Sequence, residues 1–155
     1  MKKIFKLFIV MVFCFTMIGC KQKVKNVYHD TYTLKYFYIE GCSNCEYFTK
    51  NGLPLIEEEF GEHMQIVKYN MDDRNNVDEV KSAYNDVVDS IIDFDQDDYG
   101  FGPFLVLDGY YAQLGVDDVD VFVDNLIKVI NGKKLGKPDN SDTYYYFKDG
   151  KVKEG

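Results

Sequence analysis

The chain has 155 residues, with 18 Lys and Arg against 26 Asp and Glu, a formal net charge of -8, 46% hydrophobic residues, 13 Tyr, 12 Phe and no Trp. Length and apolar content fit one ordinary globular domain with an appendage, and exclude a largely disordered, collagen-like or coiled-coil chain. The acidic balance disfavours a nucleic-acid backbone as partner.

Residues 1 to 19 begin with Lys2, Lys3 and Lys6 and continue through an apolar run from Leu7 to Ile18, the form of a secretory signal. The run is too short for the ~20 residues that span a bilayer as a helix. Its end, Met17-Ile18-Gly19-Cys20, resembles the lipobox of bacterial lipoproteins, although Met17 stands where Leu is usual. The resemblance implies cleavage before Cys20, acylation of that cysteine, and anchoring at the extracytoplasmic face of the cell membrane. Removing Lys2, Lys3 and Lys6 and no acid takes the net charge from -8 to -11. Residues 20 to 31, with Lys21, Lys23 and Lys25, read as a tether. The alternative is an uncleaved anchor with an incidental cysteine.

Thr33 to Ile39, β-branched and aromatic, predicts a buried strand. Gly41-Cys42-Ser43-Asn44-Cys45 then opens a helix that runs to about Asn51-Gly52 and resumes through Pro54 to Phe60. Met64 to Met71 predicts a second strand. Val77, Val80, Tyr84, Val87, Val88, Ile91 and Ile92 recur at helical spacing, with Asn76 and Glu79 as a capping box. An acidic loop from Asp93 to Gly102 leads to Pro103, a strand over Phe104–Leu107, a turn at Asp108-Gly109 and a return strand from Tyr110 to Leu114. Val119 to Ile130 predicts the last helix, stopped by Asn131-Gly132. The order is β-α-β-α-β-β-α, followed over 133–155 by an extension with a strand or hairpin at Thr143 to Lys148.

Of four cysteines, Cys14 lies in the signal and Cys20 at the lipidation point, so Cys42 and Cys45 are the only thiols of the mature domain. A zinc site lacks ligands, since His29 and His63 are isolated in sequence, and no metal is expected. A disulfide closing so short a loop staples little, so the pair makes sense chiefly as chemistry. Asp93, Asp95, Asp97 and Asp98 suggest a calcium loop, but Asp98 and Phe104 stand where an EF-hand needs Gly and Glu, so a solvated acidic loop favouring basic partners is the expectation. Tyr144, Tyr145 and Tyr146 read as an edge strand with alternate rings buried, or else as a grip for a peptide or glycan.

This order, with Cys42-x-x-Cys45 at the first strand-to-helix junction and Gly102-Pro103 opening the hairpin strand, resembles the thioredoxin-like superfamily over roughly residues 31 to 132. The resemblance implies an α/β fold, a central mixed sheet flanked by helices over 32–132, with the C-terminal strand or hairpin as an extension. It further implies Cys42 as attacking thiol, Cys45 as resolving thiol, and Pro103, with Gly102 and Gly41 beside it, as the substrate groove. Pro103 falls where the family has its cis-proline; an ordinary trans turn proline is the alternative reading. A helix N-terminus, with its unpaired backbone N–H groups, is a favourable place for negative charge on the Cys42 sulfur. Five positions depart from thioredoxins proper. Gly41 replaces Trp, Ser43-Asn44 replaces Gly-Pro, Tyr36 replaces a buried Asp, and Glu46 replaces a basic residue and opposes a thiolate.

The function these residues predict is a membrane-anchored, extracytoplasmic thiol-disulfide oxidoreductase acting on protein thiols and disulfides, with no bound cofactor and with a membrane redox partner. The alternative is a redox-inactive binding lipoprotein of the same fold, in which the pair is a static disulfide. A peroxidase is weaker still, because no Arg lies near the pair in sequence.

Overall fold

The computed structural model describes residues 26–138 and 141–152. The signal segment, Cys20 and the first part of the tether lie outside the described residues. Strand β1 spans Tyr32–Tyr38, helix α1 Ser43–Tyr47, helix α2 Leu53–Phe60, β2 Met64–Asn70, helix α3 Val77–Ser90, β3 Phe104–Leu107, β4 Tyr111–Leu114, helix α4 Val119–Ile130 and β5 Thr143–Tyr146. A π-helical turn, Phe48–Gly52, joins α1 to α2, and short 3-10 turns occupy Gly61–His63 and Gln96–Asp98.

The five strands form one mixed sheet in the order β2-β1-β3-β4-β5. β2 is parallel to β1, as a helical crossover requires, and the remaining neighbours are antiparallel. The central β3 is buried along its whole length, which is why it reads as an unbroken apolar run rather than an alternating one.

Alternation along β1 sorts the core into two halves. Leu34 and Tyr36 face a cluster with Phe48, Ile56 and Phe60 from the α1–α2 arm and Phe122 and Leu126 from α4. Phe37 faces the other way, into a cluster with Tyr84 and Val87 of α3, Phe104, Val106 and Tyr145. Helices therefore cover both faces of the sheet. Its aromatic content is used in ring pairs: Phe48 packs edge-on to both Tyr36 and Phe122, and Phe37 stacks on Tyr69 at 4.7 Å.

The C-terminal segment supplies the fifth strand of this sheet rather than a separate element. Tyr145 is buried on the α3 side, while Tyr144 and Tyr146 lie half-buried on the other, the alternation expected of an edge strand. Buried Asp142 fixes the entry to β5 by accepting from Gln113 Nε2 at 3.0 Å and from the Asp117 backbone at 3.1 Å. Among the described residues, no return strand follows the turn at Asp149-Gly150.

Two details of α3 correct the sequence reading. No capping box forms: Asn76 precedes the helix, but its side chain donates to Asp73 at 2.8 Å instead of capping. Val77 and Ile92 lie outside the apolar face, 53% and 43% exposed. The helix stops at Ser90 because Ile91 turns extended and bridges Phe147, with the Ile92 N–H donating to Tyr146 O. That extended geometry points Ile91 inward and its neighbour outward.

The π turn is built around Gly52. A β-carbon there would lie 2.5 and 2.6 Å from ring carbons of Phe48, itself fully buried between Tyr36 and Phe122. The ring has nowhere to move, so Gly52→Ala is expected to destabilise the domain by about 1–3 kcal/mol. Urea unfolding measures this directly; unchanged stability would mean that Phe48 is not held as described.

Candidate active site at the first strand-to-helix junction

β1 ends at Tyr38, and the chain reverses through Ile39-Glu40-Gly41-Cys42, closed by the Cys42 N–H to Ile39 O at 3.4 Å. Gly41 has φ +71°, a conformation that costs a side-chain-bearing residue energy and glycine none. The turn is braced from β2. Glu40 N–H donates to the Asp72 carboxylate at 2.9 Å, Asn70 Nδ2 to the Glu40 carboxylate at 2.7 Å, and the Met71 N–H to Tyr38 O at 2.8 Å.

Cys42 is the N-cap of α1. Its sulfur accepts from the Cys45 backbone N–H at 3.2 Å, taking the place of a Ser or Asp oxygen at a helix start. The Cys42 thiol also lies 3.4 Å from Gly102 O, to which it donates. Cys42 is half-buried and Cys45 is 2% exposed, and both are free thiols. Burial, with a side-chain hydrogen bond to Cys42, pushes the Cys45 thiol up to about 12.

The Gly102–Pro103 bond is cis, and it brings Gly102 against the pair. A β-carbon on Gly102 would lie 3.3 Å from Cys45 Sγ, 3.3 Å from Met71 Cε and 3.5 Å from Phe37 O, so this glycine allows the loop to close over the second cysteine. Pro103 is buried beneath it, with its carbonyl accepting from the Gly115 N–H at 3.0 Å. Phe101, which precedes Gly102, is 60% exposed.

Below the dithiol sits Tyr36, 1% exposed, whose hydroxyl donates to Cys45 O at 2.8 Å and pairs with Thr49 Oγ1 at 3.0 Å. Burial raises its phenol to about 12, so it stays a neutral donor throughout the physiological range. The helical bond from Glu46 N–H to Cys42 O, 2.9 Å, runs from the same peptide unit whose carbonyl Tyr36 engages. Tyr36 thus supports the first turn from inside the sheet, without an ionisable carboxylate beside the second sulfur.

The structure brings Gly41, Cys42, Cys45, Gly102 and Pro103 together. Cys20 lies outside the described residues. The tyrosines of β5 and His29 belong to other parts of the fold, and His63 pairs through Nδ1 with Asp30 O at the far end of β1. In the acidic loop, Asp95 caps its own turn and Asp98 accepts from the Tyr145 hydroxyl. Among the described residues, no group of three or more His, Cys, Asp or Glu is arranged to hold a metal ion, and no helix is long and apolar enough to cross a membrane.

Sequence reasoning missed Met71, Thr49 and the Glu40–Asn70–Asp72 brace. Only the period-two burial of Leu34, Tyr36 and Tyr38 offered a signal, by placing the Tyr36 ring on the face that α1 covers.

Fold and site define a mixed α/β domain that carries a Cys-x-x-Cys dithiol at a strand-to-helix junction. No family model, curated protein or solved structure matches the chain.

The burial difference predicts one-sided alkylation. With the reduced protein at pH 8, iodoacetamide is expected to modify Cys42 and spare Cys45, because the buried thiol is protonated and covered while the half-buried one is accessible. As pH rises from 9 towards 12, the unfolded state releases the Cys45 proton while the native state retains it, so the dithiol form should lose stability over that window. Peptide mass mapping that finds Cys45 modified as fast as Cys42 would contradict the geometry.

Proposed function

We propose that the protein is a thiol-disulfide oxidoreductase of the thioredoxin-like superfamily, held by lipid on Cys20 at the extracytoplasmic face of the membrane, exchanging disulfides with protein substrates through Cys42 and Cys45. The observation that carries this reading is the asymmetry of the pair. One sulfur is accessible at a helix start, where a backbone N–H points at it. The other is sealed beneath Gly102. A pair held only as a structural clip has no need of such a difference, and so short a loop gains little stability from closure.

In the reducing direction, the Cys42 thiolate attacks one sulfur of a substrate disulfide. That S–S bond breaks, the second sulfur leaves as a thiolate and takes a proton, and a mixed disulfide joins Cys42 to the sulfur it attacked. Cys45 then loses its proton and attacks Cys42 Sγ, releasing the second substrate thiol and leaving Cys42–Cys45 oxidised. Two electrons have moved to the substrate. The same two steps in reverse oxidise a dithiol, and a membrane redox partner of the kind that serves extracytoplasmic thioredoxin-like proteins would restore the starting state.

Each step has a supporting contact. The Cys45 N–H at 3.2 Å stabilises negative charge on Cys42 before attack, and on the same sulfur as the leaving group when the steps run in reverse. Burial keeps Cys45 a covered, protonated thiol, which leaves the first attack to Cys42. Gly102 and buried Pro103 form the wall against which an extended substrate segment lies.

Cys45→Ser removes the resolving sulfur and leaves the attacking one. It is expected to accumulate a mixed disulfide with a disulfide-bearing protein, visible as a reducible adduct on non-reducing gels. Cys42→Ser should neither trap substrate nor turn over. Full disulfide turnover by the Cys42→Ser variant would sink the reading.

A further inference from the structure

The described chain enters the domain at one end of β1, and the dithiol leaves from the other. At the entry end, Asn26 Nδ2 donates to Glu59 Oε1 at 2.6 Å and Tyr28 OH to the same oxygen at 2.7 Å. The Tyr28 ring packs on Phe60 at 4.8 Å and edge-on to Tyr32 at 6.4 Å. The backbone of Asp30 is met by His63, and Tyr32 pairs in register with Met64. The chain is therefore fastened to the domain from Asn26 onwards, at the pole formed by the start of β1 and the end of α2.

Cys42 lies beyond the opposite end of the same strand. The seven residues of β1, at ~3.3 Å rise each, put Tyr38 roughly 20 Å from Tyr32. Cys42 follows the Tyr38 end, with its thiol donating to Gly102 O, and Tyr28 packs against Tyr32 at the other end. Between Cys20 and Asn26 the chain spans at most about 21 Å when fully extended. Three of the five intervening residues are Lys21, Lys23 and Lys25, side chains that anionic headgroups attract. Turning the dithiol pole onto the bilayer would lift Asn26 by about the length of β1, close to the whole reach of the tether.

We infer that the anchored protein stands on its Tyr28–Phe60 pole and presents Cys42 to the aqueous compartment, so that every exchange partner, the membrane redox partner included, meets the dithiol through a segment outside the bilayer. This rests on the lipid anchor at Cys20 put forward above. The exposed Phe101 beside Gly102 then meets an approaching polypeptide rather than lipid.

The chain has no Trp, so one introduced indole reports position without background. Val27→Trp marks the entry pole and Phe101→Trp the dithiol pole. Both native side chains are exposed, at 78% and 60%. The full lipidated chain is incorporated in vesicles of phosphatidylethanolamine and phosphatidylglycerol carrying dansyl on a fraction of headgroups, and energy transfer from each indole is measured. Transfer several-fold stronger from Val27→Trp than from Phe101→Trp is expected. Equal or stronger transfer from Phe101→Trp, in protein that floats with the vesicles, overturns the orientation and leaves the anchor standing. Protein that fails to float, with no lipid mass on Cys20, overturns the anchor and the orientation together. The dithiol chemistry is judged separately by the Cys45→Ser adduct.

Discussion

The arrangement depends on a single hydrogen bond, from the Cys45 N–H to Cys42 Sγ. A helix start leaves backbone donors without intrahelical partners, and a cysteine in the capping place converts one of them into a support for negative charge on sulfur. Sequence spacing alone gives that possibility to any Cys-x-x-Cys. What makes it effective is the geometry that fixes where the helix begins. Gly41 takes the positive φ that ends the turn, Glu40 and Asp72 tie the turn to β2, and Tyr36 holds the carbonyl of Cys45 from inside the sheet.

The second sulfur depends on packing. Gly102 can approach Cys45 and Met71 only because it lacks a β-carbon, and β3, buried on both faces, holds the loop in that position. Desolvation, with the Cys42 sulfur beside it, then keeps Cys45 protonated. Tyr36 supplies a neutral hydroxyl at a depth where an ionised carboxylate would need a partner or lose its charge. In the proposed exchange, proton removal from Cys45 would fall to solvent or substrate rather than to a buried carboxylate.

Much of this was legible in the sequence, for physical reasons that differ by element. Strands and helices were clear because Phe104–Leu107 is an unbroken apolar run and Val119–Ile130 keeps helical spacing. The dithiol and its glycines were clear because turn chemistry and cysteine spacing are local. The brace Glu40–Asn70–Asp72 was hidden, since it joins residues about thirty apart through polar contacts that leave no periodic trace. The end of α3 was misread because Ile91 and Ile92 continue the apolar spacing, while a bridge to Phe147, far along the chain, draws Ile91 into extended geometry. That β5 completes the sheet, rather than forming an appendage, depends on buried Asp142, whose partners Gln113 and Asp117 were not singled out by any motif.

The central claim is that Cys42 and Cys45 form a reversible redox couple within the folded domain. The most direct test is the reduction potential of a soluble form lacking residues 1 to 20, equilibrated against glutathione buffers and read by thiol counting. The account predicts reversible two-electron behaviour with a potential between roughly -270 mV, typical of a reductant, and roughly -120 mV, typical of a disulfide-forming oxidant. A pair that stays reduced or stays oxidised across the whole glutathione range under native conditions would contradict it.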